Sequence, residues 1–102
     1  MKIGDEDYPL DAEGFLQEPA RWNREVALAI AQDEGIDDMS DRHWAVVEFI
    51  RRYWEQHDTA PPVRLLCQET SVGVREMHRL FHSGPARGAC RIAGLPKPDG
   101  CV

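Results

Sequence analysis

Gly94, Pro96, Pro98 and Gly100 fall within the last nine residues of this 102-residue chain. Proline fixes φ and removes a backbone donor, and glycine loses more freedom than any other residue when ordered. Neither helix nor strand is therefore expected to continue through such a stretch. The penultimate residue is Cys101, and a second cysteine, Cys90, stands eleven positions earlier. Terminal chain is mobile unless docked, so the pattern predicts an arm that presents one thiol and folds it back on another. A bridge needs Cα atoms about 5.5 Å apart. A turn-rich loop of this length reaches that spacing at modest entropic cost, because loop closure depends only slowly on length.

Composition narrows what the rest can be. The length predicts one domain with a real core. Three cysteines are too few and too unevenly spaced for a disulfide scaffold. Met1-Lys2-Ile3-Gly4-Asp5 lacks the apolar segment of a signal peptide, and no apolar run matches a bilayer, so a cytoplasmic setting with reduced thiols is expected. Net charge is −6 but uneven: residues 1–58 hold six Lys/Arg against fifteen Asp/Glu, residues 59–102 six against three. The acidic half reads as a solvated face. The basic half contains both tail cysteines, with Arg87, Arg91 and Lys97 around them. Those cations favour a thiolate, and the terminal carboxylate of Val102 opposes it.

Lys2 to Leu10 predicts a small hairpin about an acidic turn, followed by a second turn at Asp11-Ala12-Glu13-Gly14. Pro19 suits a first helical position and Gly35 the residue past a helix end, with Trp22, Val26, Ala29 and Ile30 at helical spacing between them. Ser40 is a good N-cap for a second helix to about His57. Its apolar stripe is Trp44, Val47, Ile50 and Trp54, broadened by Phe49 and Tyr53, and reads as core. A third helix is expected from Val63 to about Glu69 and a fourth from Val74 to Phe81, split at Thr70-Ser71-Val72-Gly73. Leu65, Leu66, Met77, Leu80 and Phe81 would pack that pair. A short fifth helix opened by Ser83-Gly84-Pro85 and ended by Gly94 would carry Cys90. The fold expected is α+β and mostly α: an orthogonal helical bundle with an N-terminal β-hairpin, a helix–turn–helix-like pair and a mobile C-terminal arm. Residues 1–82 form the hairpin and helical core and residues 83–102 the arm, within one domain.

Two further patterns compete for function. The pair from Pro62 to Phe81 carries Arg75, His78 and Arg79 on its second helix, which suits phosphates or base edges. The net charge of −6 argues against DNA, since phosphate neutralisation dominates such affinity. His78 and His82 stand at i and i+4, but no Cys-x-x-Cys accompanies them, and a surface or cap role is expected rather than a metal site. Cys67, next to Leu65 and Leu66, reads as a small core residue.

The tail from Leu80-Phe81 through Gly84-Pro85-Ala86-Arg87-Gly88-Ala89-Cys90-Arg91-Ile92-Ala93-Gly94-Leu95-Pro96-Lys97-Pro98 to Gly100-Cys101-Val102 resembles the C-terminal arm of the DsrC/TusE family of sulfur carriers. His43-Trp44, Phe49-Ile50-Arg51, Pro62-Val63-Arg64 and Glu13-Gly14-Phe15-Leu16 resemble its other signatures, so the likeness covers essentially the whole chain. The resemblance implies that Cys101 accepts sulfane sulfur as a persulfide and passes it on. It implies that Cys90 serves as the resolving thiol of the DsrC type, forming a disulfide or trisulfide. TusE-type members, which serve tRNA 2-thiouridine synthesis, typically keep only the penultimate cysteine. Dissimilatory DsrC proteins carry an insertion between the third and fourth helices, where this chain has a bare turn, as in TusE.

Arg87, Arg91 and Arg64 are candidates to steady an anionic perthiolate. Implied partners are a donor sulfurtransferase of the DsrEFH or TusBCD type, with dissimilatory sulfite reductase or the tRNA thiouridylase as acceptor. The resemblance also implies a membrane heterodisulfide-reductase-like complex as a possible further partner. No cofactor and no metal are implied, and the chain resembles a protein substrate passed between enzymes. The reading from another class is a helix–turn–helix DNA-binding or thiol-redox regulator.

Overall fold

The computed structural model describes residues 1–84 and 87–96. Cys101 and Lys97 lie outside those residues, as does the expected mobile arm beyond Pro96. Strands β1 (Lys2–Ile3) and β2 (Glu6–Asp7) pair antiparallel, Lys2 opposite Asp7 and Ile3 opposite Glu6. The hairpin is thus present but shorter than the run from Lys2 to Leu10. In the next turn the Asp11 carboxylate accepts from the backbone N–H of Glu13 and of Phe15, both at 2.9 Å. This local capture of backbone donors is why Asp favours turns.

Among the described residues five helices follow: α1 (Arg24–Asp33), α2 (Asp41–His57), α3 (Val63–Thr70), α4 (Val74–Leu80) and α5 (Arg87–Ile92). The result is a mostly helical α+β fold with one small sheet. The first helix begins later than expected. Pro19 opens a separate 3₁₀ turn, Pro19–Arg21, and α1 starts only after Asn23, whose side chain accepts from Val26 N–H at 3.0 Å. Asn is the stronger start signal because it satisfies a donor that the helix otherwise leaves bare. Trp22 is consequently extended, with ψ 140°, and outside the helix. Gly35 sits just past the end of α1 as expected.

Ser40 caps α2 in a reciprocal box whose other member is His43 rather than Glu or Gln. His43 Nδ1 accepts from Ser40 N–H at 3.0 Å, and Nε2 lies 2.9 Å from the Leu80 carbonyl. A carbonyl only accepts, so Nε2 bears the proton and the ring is the neutral tautomer. The ring also meets Phe81 edge-on at 5.3 Å. This buried histidine ties the start of α2 to the end of α4. His43→Ala removes both bonds and strands the Leu80 carbonyl, so a loss of about 2–3 kcal/mol is expected from urea unfolding. A loss below half of that would show that water takes over most of what the ring's bonds contribute.

The core is built from Val26, Ala27, Ile30 and Ala31 of α1, Val46, Val47 and Ile50 of α2, Leu66, Met77, Phe81, and Ala89, Ile92, Ala93 and Leu95. Val47 and Ile50 of the expected α2 stripe are fully buried and Val46 joins them, while Trp44 and Trp54 are half-buried against that core. Their rings carry guanidinium groups, Arg24 at 4.4 Å over Trp44 and Arg51 at 5.1 Å over Trp54. α5 packs against both α1 and α2, and residues 88–95 are buried. The first part of the stretch expected to be arm therefore shares the core of the bundle. Among the described residues no helix is long and apolar enough to cross a membrane.

Candidate functional site

Cys90 lies on α5 and is 2% exposed. This six-residue helix is closed at its C-terminal end by backbone and side-chain donors alike. Gly94 has φ +74°, the left-handed conformation that ends a helix without the Cβ penalty. Gly94 N–H donates to the Arg91 carbonyl at 3.0 Å and Leu95 N–H to the Cys90 carbonyl at 3.2 Å. These two bonds are the Schellman pattern. Its apolar member, Leu95, is fully buried.

The carbonyls beyond that pattern are taken by two side chains from distant elements. Trp22 Nε1–H donates to the Ile92 carbonyl at 2.8 Å. Arg51 Nη1 reaches the Ala93 and Gly94 carbonyls, each at 3.4 Å, while Nη2 donates to Pro19 O at 2.9 Å and Nε to Glu55 at 3.0 Å. The guanidinium also lies 5.0 Å from the Trp22 ring centroid. Neither residue was singled out for the site from the sequence. A signal existed: Val47, Ile50, Arg51 and Trp54 follow the helical spacing of a buried face, and a charge at such a position needs partners.

The three candidate arginines separate. Arg91 is turned inward, 7% exposed. Its Nε donates to the Gly14 carbonyl at 2.8 Å, Nη2 meets Asp33 at 2.9 Å, and Nη1 lies 3.3 Å from Glu34 Oε2. Ser83 Oγ donates to that same Glu34 oxygen at 2.9 Å. Two carboxylates thus already surround the charge expected to favour a thiolate. A Cβ on Gly14 would lie 2.9 Å from the Arg91 guanidinium, so the Asp11–Gly14 turn is shaped to admit it. Arg87 is exposed on α5, 3.8 Å from Glu13. Arg64 is exposed on α3, which packs on α2.

The remaining expectations fall as follows. Cys67 is half-buried against the core. His78 and His82 are exposed, and no group of three or more potential metal ligands occurs among the described residues. α3 and α4 follow one another as expected, turning at Ser71 with φ +58°, but α3 packs chiefly on α2 rather than on α4; Arg75, His78 and Arg79 are exposed.

The family described as DsrC like protein matches residues 2–102. The chain is 40% identical over 95 residues to the gamma subunit of dissimilatory-type sulfite reductase of Nitratidesulfovibrio vulgaris, covering 93% of this chain and 90% of that protein. It is 42% identical over 99 residues to the sulfurtransferase TusE of Salmonella choleraesuis, covering 90% of each. Two crystal structures share its fold. Dissimilatory sulfite reductase I (DsrI) superposes with TM-score 0.92 at 36% identity, over 100% of this chain and 98% of that one. The oxidised gamma subunit DsrC from Archaeoglobus fulgidus gives 0.89 at 38% identity, over the same shares. With sequence and fold agreeing across nearly its whole length, this chain belongs to the DsrC-like family.

Proposed function

We propose that this protein is a cytoplasmic sulfur carrier in which Cys101 receives and hands on sulfane sulfur and Cys90 resolves the loaded form. The observation that carries the reading is the placement of Cys90: its own carbonyl holds Leu95, and Cys101 follows only six residues further on. Six residues span at most about 20 Å, so the reach of Cys101 starts beside Cys90. The relatives named sulfurtransferase and sulfite reductase subunit support sulfur as the cargo.

In the loading step the Cys101 thiolate attacks the outer sulfur of a donor persulfide. A new S–S bond forms on Cys101, the donor S–S bond breaks, and the donor leaves as a thiolate. In the resolving step the Cys90 thiolate attacks the Cys101 sulfur and hydrosulfide departs. The two cysteines are oxidised to a disulfide and the sulfane sulfur takes up the two electrons. Arg87 and Arg64 remain our candidates to meet an anionic perthiolate or a partner's surface, and their exposure leaves them free to do so.

Donor and acceptor follow from the same reading: a sulfurtransferase supplies the sulfur, and dissimilatory sulfite reductase receives it. A second reading, relay to a tRNA thiouridylase, is favoured by the bare turn between Thr70 and Val74. Intact mass spectrometry after exposure to a persulfide-loaded donor tests both. A gain of one sulfur atom is expected to persist in Cys90→Ala, to pass in wild type into the two-hydrogen loss of the disulfide, and to be absent in Cys101→Ala. Sulfur gain indifferent to Cys101 sinks the carrier. Onward transfer that survives Cys90→Ala selects the single-thiol relay.

A further inference from the structure

We propose that Trp22 and Arg51 are positioning residues for the two-thiol chemistry, a clamp on the end of α5 that fixes where and in which direction the cysteine-bearing tail departs. The inference rests on the pairing of Cys90 with Cys101 proposed above and adds the residues that make it efficient. A helix leaves its last carbonyls unsatisfied. In α5 the last of them, Ile92 O, is closed from outside by the Trp22 indole, and the Arg51 guanidinium takes Ala93 O and Gly94 O on the stretch that leaves the helix. The two clamping side chains are fixed in turn. Arg51 is 8% exposed, lies within about 5 Å of the Trp22 and Trp54 ring centroids, and is bonded to Pro19 O and Glu55. Trp22 is held between that guanidinium and Gly94, where any Cβ would run into its ring.

Stability alone does not call for this arrangement. The Schellman bonds already end the helix, and burying a cation to hold two carbonyls just past a six-residue helix is an expensive way to cap it. What the clamp adds is a fixed origin. A short flexible tether gives an effective concentration in the millimolar range, whereas a tether with a fixed start and heading exceeds it when the geometry matches. With the clamp open, residues from Ile92 onward join the tether, the origin wanders, and the advantage over a flexible chain disappears.

The test uses the full chain carrying Cys67→Ser, equilibrated in mixtures of reduced and oxidised glutathione. Cys90 and Cys101 give two protons and two electrons to oxidised glutathione, which leaves as two molecules of reduced glutathione. The ratio of bridged to open protein yields the effective concentration of Cys101 at Cys90. Arg51→Met and Trp22→Phe are expected to lower it by about tenfold. Trp22→Phe keeps a ring over Gly94 and removes only the donor to Ile92, so it decides the matter should Arg51→Met not fold. Val72→Ala, a buried site at the α3–α4 turn, serves as a matched destabilisation and is expected to leave the ratio unchanged. Loading of Cys101 by inorganic polysulfide should be equal in all variants.

A change of less than twofold in both clamp variants overturns the clamp and leaves the carrier standing. An equal fall in Val72→Ala also overturns it, since the effect is then general loosening. No bridge in the wild-type chain overturns the thiol pairing itself, and the clamp with it.

Discussion

Replacing Arg91 by methionine is expected to destabilise the protein by about 3–5 kcal/mol, the range for removing one partner of a buried ion pair. The geometry explains why the value belongs at the upper end of point-mutation effects. Glu34 is 9% exposed at its side chain, and Arg91 Nη1 is 3.3 Å from its Oε2. Its Oε1 is buried and has no hydrogen-bond partner among the described residues. Methionine fills most of the arginine stem but leaves this carboxylate with only the Ser83 hydroxyl, and it strands the Gly14 carbonyl as well. Asp33, 56% exposed, can turn to water and contributes little. Pairing Arg91→Met with Glu34→Gln removes the stranded charge, so the double variant should recover about half of the loss. Urea unfolding of the four corners of this cycle measures the coupling. Additive losses would show that Glu34 is stabilised by something other than Arg91.

How far the sequence could be read follows from which contacts are local. Ser40, Gly35 and the Thr70–Gly73 break act on their own neighbours, and the ends of α2, α3 and α4 fall within about a residue of where those signals put them. Cys90 on a short helix before Gly94 was legible for the same reason. The beginning of α1 was not, because Pro19 and Asn23 both signal a start and only the burial of Val26 and Ala27 behind Asn23 separates them. Arg91 was assigned to the tail by proximity in sequence, yet its partners Gly14, Asp33 and Glu34 come from more than fifty residues away. The same holds for Arg51 and Trp22, which meet Ala93, Gly94 and Ile92 only once α5 has docked on α1 and α2. Periodicity locates a buried face; it does not say which carbonyls a charge on that face will reach.

Gly94→Ala tests the crowded end of α5 from the opposite side and is expected to cost about 3–5 kcal/mol. Two independent penalties add. A left-handed conformation at an L-residue costs about 1–2 kcal/mol, and Gly94 has φ +74°. The new methyl would also run into the Trp22 ring. Overpacking of that kind costs about 1–3 kcal/mol, and moving the indole away sacrifices its 2.8 Å bond to Ile92 O, about another 1 kcal/mol. The two parts separate in a Trp22→Ala background. There the steric term vanishes and only the backbone term of about 1–2 kcal/mol should remain. Chemical denaturation of the four variants reads the difference. If Gly94→Ala costs the same with and without the indole, the glycine is required for its backbone alone and Trp22 does not press on it. If the cost falls as expected, a glycine that ends one helix is also the space into which a tryptophan from before another helix is fitted. The point where the tail departs is then set by the packing of three separate stretches of chain.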